Sequence, residues 1–145
     1  MNISAKPVAL VTGASSGIGK DFAHRLINEG YVVYGAARRT DRMDGIKAAG
    51  GHVIALDVTD DTSIIACVTQ ILSEQNRIDV LINNAGYGQY GALEDVPIDE
   101  GRRQMETNLI GCQGSQRETP GAAVPRRRAL QHNIVFAPMA HGPAI

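Results

Sequence analysis

Short apolar runs alternate with longer amphipathic stretches through the first 111 residues, and that alternation constrains the fold more than any other feature. Residues 8–11 are an unbroken apolar run ending at Thr12-Gly13, the pattern of a strand buried on both faces. Residues 31–37, 53–56 and 79–82 predict three further strands. Residues 17–29 place Ile18, Phe22, Leu26 and Ile27 at helical spacing, with Gly30 suited to the C-cap. Residues 41–49 predict a short helix ended by Gly50-Gly51. Asp60 and Asp61 then cap a helix expected to carry Ile64, Ile65, Val68, Ile71 and Leu72 on one face. Pro97 fits the first turn of a fourth helix, running through Arg102, Met105 and Leu109 to about Gly111. Gly101 inside it costs about 1 kcal/mol relative to Ala. Strands separated by helices of this length form right-handed βαβ units. The fold class expected is α/β with a parallel sheet, and in the doubly wound pattern its first four strands take the order 3-2-1-4.

A chain of 145 residues argues for one domain. A net charge of -1 gives no reason to expect nucleic acid or an anionic membrane as partner. Without 18 consecutive apolar residues no membrane span is expected, and residues 1–6 hold no apolar export signal before Pro7. Cys67 and Cys112 lie far apart, and His24, His52, His132 and His141 have no metal-like spacing, so no metal site is expected. The cysteine usage fits a reducing cytoplasm, with Cys67 in the core face of its helix.

The turn after the first strand reads Thr12-Gly13-Ala14-Ser15-Ser16-Gly17-Ile18-Gly19. Glycines there let backbone turn tightly and approach a pyrophosphate with no Cβ in the way. The amides opening the next helix favour its charge. Gly19 lets helix and strand pack closely. The motif follows a strand, opens a helix and begins a βαβ unit, which is the context that gives it meaning.

That turn, followed by Asp57-Val58, Asn83-Asn84-Ala85-Gly86 and Asn108, resembles the short-chain dehydrogenase/reductase family over residues 6 to about 111. The resemblance implies a Rossmann-like, NAD(P)-binding domain over residues 1–111 and an oxidoreductase acting on a small-molecule alcohol or carbonyl. By the same resemblance Gly13, Ser15, Ser16, Gly17, Ile18 and Gly19 bind the cofactor's phosphates. Asp57 and Val58 then hold its adenine, and Asn84, Ala85 and Gly86 lie beside a ribose. Asn83 and Asn84 also suit hydrogen bonds to neighbouring backbone at a strand end, and the two roles coexist in the family.

The second strand ends Ala36-Ala37-Arg38-Arg39, with no acid to take a ribose 2′-hydroxyl. Two guanidiniums suit a 2′-phosphate, so NADP(H) is expected over NAD(H); the alternative is that Arg38 and Arg39 are solvated charges leading into the next helix.

The family's chemistry uses a Tyr with a Lys four residues later, an orienting Ser, and an Asn in the fourth helix. Asn108 matches that Asn and is the one residual catalytic position. No Tyr follows Tyr90 and no Lys follows Lys47, while Tyr87 and Tyr90 have no Lys in helical register and are expected to line a loop. A positioned acid/base is worth about 10²–10⁴-fold. The expectation is binding without turnover by these residues. The alternatives are a non-catalytic NADP(H)-binding regulatory module, or a frameshifted product without function.

Residues 112–145 change character. They hold four Arg, one acid and four of the six prolines. Pro120 and Pro125 fall where the family has a long helix, each costing about 3 kcal/mol in a helix interior. Arg126-Arg127-Arg128 reads as a solvated loop. Residues 112–145 are expected to be an aberrant, poorly ordered tail, read out of frame or genuinely divergent, with a short strand at 133–136 resembling the family's fifth.

Overall fold

The computed structural model describes residues 6–86, 97–107, 111 and 130–133. Its strands are β1 (Val8–Thr12), β2 (Val32–Ala37), β3 (His52–Ala55), β4 (Val80–Asn83) and β5 (Leu130–Asn133). Its α-helices are α1 (Gly17–Asn28), α2 (Asp44–Ala48), α3 (Asp61–Gln75) and α4 (Ile98–Met105), with a 3₁₀ turn at Thr40–Met43 before α2. All strand pairs are parallel, and the order is β3-β2-β1-β4-β5. The α/β sheet thus has the parallel strands that alternation calls for and the order 3-2-1-4 of the doubly wound pattern.

Side chains alternate across the sheet, so β1 feeds two cores. Val8 and Leu10 join Tyr34, Ile54, Leu81 and the α3 residues Ile64, Cys67, Val68 and Ile71 on one face. Ala9 and Val11 join Val33, Ile46 and Ile82 on the other, against Phe22, Leu26 and Ile27 of α1. β1 is buried at every position, as expected of a strand covered by helices on both sides.

Helix ends follow local chemistry. α1 stops at Gly30, whose φ of +88° few L side chains adopt. The Gly30 amide donates to Ile27 O and the Tyr31 amide to Leu26 O, the paired bonds of a Schellman ending. Asp60 caps α3 by accepting a hydrogen bond from the Thr62 amide at 2.9 Å.

Several details differ from the pattern read in the sequence. The 41–49 stretch divides into the 3₁₀ turn and α2. Ile65 is 48% exposed, because a single helical step of about 100° from Ile64 carries it off the buried face, where Cys67 packs instead. Pro97 caps α4 from outside, and α4 ends at Met105 in a π-type turn at 106–107. β5 pairs Leu130 to Val80 and Asn133 to Asn83. It meets the expected 133–136 stretch at Asn133; residues 134–136 lie outside the described residues, as do Asn108, Tyr87, Tyr90 and Cys112.

Candidate functional site

β1 and β4 are adjacent in the sheet, and their C-terminal ends carry the two turns that build the site. Parallel α/β sheets leave a crevice at this reversal of strand order. A cleft of about 570 Å³ opens there. Gly13, Ser15, Ser16, Gly17, Ile18, Arg38, Arg39, Asp57, Val58, Asn84, Ala85 and Gly86 all line it. Gly19, the remaining expected position, is buried behind the turn and does not line the cleft.

The glycine turn is shaped by contact with the β4 turn. Gly13 has φ +67°, and a Cβ there would stand 2.8 Å from Ala85 Cα and 2.9 Å from Ala85 N. A Cβ on Gly19 would collide with Asn84 Nδ2 and the Gly13 carbonyl. Asn84 Nδ2 itself donates to Gly13 O at 3.2 Å. The strand-end hydrogen bond expected of this asparagine is thus present in a residue that also lines the cleft.

Thr12, treated in the sequence only as part of a motif, is the link between the turns. Its buried Oγ1 accepts from the Asn84 and Ala85 amides, each at 3.1 Å, and donates to Ile82 O at 3.4 Å. A hydroxyl at the last position of a buried strand is the signal that could have revealed it, because such a group requires partners.

The N-terminus of α1 is open. Ser16 occupies the N-cap with no side-chain cap bond, and the first turn holds no acid. The amides of that turn and their partial positive charge are left to a ligand.

At the other end of the cleft stand three guanidiniums. Arg38 and Arg39 follow β2, and Arg42 joins them from the 3₁₀ turn. None makes an ion pair among the described residues, whereas Arg77, Arg102 and Arg103 pair with Asp79, Asp99 and Glu100. Arg42 is absent from the sequence reading, yet its place three residues beyond Arg39 is one tight turn away. The Arg42 amide donates to Arg39 O at 3.4 Å.

Asp57 and Val58 lie between these two ends. The Thr59 hydroxyl donates to Asp57 Oδ1 at 2.7 Å and the Thr59 amide at 2.9 Å. These two bonds, with the nearby Arg38 charge, hold the Asp57 carboxyl below the usual carboxylate range. The Asp57 amide donates to Ser63 Oγ at 3.0 Å, tying the turn to α3. Ala36, Ala37, Leu56 and Thr107 complete the lining. Asn108 cannot be placed relative to the cleft, since it lies outside the described residues.

Among the described residues no group of three or more His, Cys, Asp or Glu could hold a metal ion, and no helix is long and apolar enough to cross a membrane. The cleft is suited to an elongated, multiply charged anion with a planar polar end.

Comparison with known proteins points the same way. The family described as short chain dehydrogenase matches residues 7–118. The 3-ketodihydrosphingosine reductase of Bacteroides thetaiotaomicron is 45% identical over 104 residues, which are 72% of this chain and 37% of that protein. A solved short-chain dehydrogenase from Streptomyces avermitilis superposes with a TM-score of 0.76 at 39% identity, covering 79% of this chain and 44% of that one. An alcohol dehydrogenase from the archaeon Thermococcus sibiricus, complexed with 5-hydroxy-NADP, gives a TM-score of 0.73 at 31% identity, covering 79% and 52%. The chain spans about two fifths of the length of the curated relatives it matches.

Proposed function

The chain belongs to the short-chain dehydrogenase family, and from that premise we propose that these 145 residues bind NADP(H) in preference to NAD(H) and do not by themselves catalyse its turnover. The observation that carries the reading is the trio of guanidiniums, Arg38, Arg39 and Arg42, with no ion pair among the described residues, at the far end of a cleft whose near end is an open helix N-terminus. The near end meets the needs of a pyrophosphate. The far end supplies charge for one more phosphate, and Arg suits such a group through paired hydrogen bonds.

The residues fit the dinucleotide, because the α1 N-terminus, with no side-chain cap bond and no acid in its first turn, opens on the cleft that Asp57, Asn84 and the arginines also line. Gly13, Ser15, Ser16, Gly17 and Ile18 would hold the pyrophosphate, with Gly19 keeping α1 seated. Asn84, Ala85 and Gly86 would flank a ribose. Asp57 would accept from the exocyclic amine of adenine, with its Thr59 bonds holding the carboxylate in place. Bound nicotinamide would supply hydride chemistry on an alcohol or carbonyl.

Catalysis needs more than the cofactor. No Tyr follows Tyr90 and no Lys follows Lys47, so the acid/base pair of the family has no counterpart in these residues. Asn108 is the one position matching that machinery. A non-catalytic, NADP(H)-binding role is the reading that this lack favours. The setting we propose is the cytoplasm, where a buried free thiol such as Cys67 stays reduced.

The test is a fluorescence titration of the full chain with NADPH and NADH, followed by NADPH consumption over a panel of carbonyls. The reading predicts tighter binding of NADPH and no consumption above a denatured control. Equal affinities would contradict the preference, and consumption would contradict the lack of turnover.

A further inference from the structure

Gly111 is buried, and its backbone does not adopt the positive φ that would by itself call for glycine. What it needs is space. A Cβ at this position would lie 2.8 Å from Val58 Cγ2, 2.8 Å from Val58 O and 2.9 Å from Val58 Cβ. Two of those three atoms are a carbonyl and a Cβ, fixed to the main chain, so the clash cannot be relieved by rotating the tip of a long side chain.

Val58 has little room to retreat. It packs against the core cluster beneath α3. Its own turn is held by the Asp57 amide on Ser63 Oγ and by the Thr59 bonds to Asp57 Oδ1. On its remaining side Val58 lines the cleft, as does Thr107, four residues before Gly111. Gly111 therefore meets Val58 directly, while Thr107 meets the cleft that Val58 also lines.

We infer that Gly111 is a positioning residue for the purine pocket: its missing side chain lets the segment after α4 rest on Val58, and so sets the wall against which an adenine ring lies. This deepens the dinucleotide reading above and rests on it. Gly111 touches no ligand. A methyl group there displaces either the Val58 turn or the Thr107 segment, and the purine wall moves in both cases. The glycine turn, held by Thr12 and Asn84, is left in place.

The experiment uses the full chain and two probes, 5′-ADP and inorganic pyrophosphate, with binding followed by NMR shift perturbation. Gly111→Ala is expected to weaken 5′-ADP by about tenfold or more, the binding equivalent of a modest overpacking cost. Pyrophosphate, which has no purine, is expected to stay within about twofold. Val58→Ala removes the contacting Cγ2 while leaving the carbonyl, so the double variant Gly111→Ala/Val58→Ala is expected to regain part of the lost 5′-ADP affinity. The double variant also decides the matter if Gly111→Ala alone does not fold. The inference is overturned if Gly111→Ala binds 5′-ADP like the wild type, or weakens both probes alike. A double variant that is unfolded, or no better than the product of the single losses, overturns it too. Failure of the wild type to bind 5′-ADP would instead remove the dinucleotide reading itself.

Discussion

At the glycine end of the cleft two turns are locked together by close backbone contact. Gly13, Gly19, Ala85 and the Thr12 hydroxyl meet at distances that leave no space for another atom. At the arginine end the walls are long exposed side chains, and Arg38, Arg39 and Arg42 stand with no acid paired to them among the described residues. One end is made of shape and the other of charge. The shaped end is part of the fold, so damage there costs stability and binding together. The charged end is carried on the fold, so its residues can be removed at the expense of the ligand alone.

The sharpest test of that contrast is Gly19→Ala. Its Cβ has nowhere to go but into the Gly13 carbonyl and Asn84, and overpacking of this kind costs about 3 kcal/mol. Urea unfolding should show that loss, with nucleotide binding gone as well; a variant of wild-type stability would mean the two turns are not interlocked. Thr12→Val comes next. It leaves the Asn84 and Ala85 amides without their acceptor, at about 2 kcal/mol, and Thr12→Ser should recover most of it.

The charged end should behave in the opposite way. Arg38→Ala, Arg39→Ala and Arg42→Ala are each expected to weaken NADP+ by about tenfold, the value of one charge-assisted hydrogen bond, while NAD+ affinity is unchanged. Thermal unfolding of all three should stay within about 0.5 kcal/mol of wild type. A large loss of stability in any of them would erase the distinction between the two ends.

The smallest effect concerns acid. Asp57 has a folded-state pKa held below the ordinary 3.8, first by the Thr59 hydroxyl. The unfolded chain therefore binds the proton more readily, and the stability that Asp57 contributes is present above the ordinary carboxylate range and lost as pH falls through the folded value. Thr59→Val removes that hydroxyl. It should raise the Asp57 pKa toward its ordinary value, as read by NMR titration of the carboxyl carbon, and shift acid unfolding slightly upward in pH.

The same contrast governs what could be read from the sequence. Gly13, Gly17 and Gly19 were legible because a tight turn between a buried strand and a helix demands glycine locally. Alternation called for a parallel sheet, and the doubly wound pattern supplied its order. Arg38 and Arg39 were legible as an absence of acid after β2, but Arg42 was not, because only the 3₁₀ turn at Thr40–Met43 swings it back to the cleft. Ile65 was misplaced by one residue, the resolution at which a helical stripe is ambiguous. Gly111 gave no local sign, since its need for space comes from Val58, more than fifty residues away in the chain.

The central claim is that the arginine end reads a phosphate on the adenosine ribose. Calorimetric titration of the full chain with 5′-ADP and with 2′,5′-ADP isolates that single group. The account predicts at least about tenfold tighter binding of 2′,5′-ADP at low salt, with the gap narrowing as exposed charges are screened. Equal affinities for the two nucleotides, or a gap indifferent to salt, would contradict it.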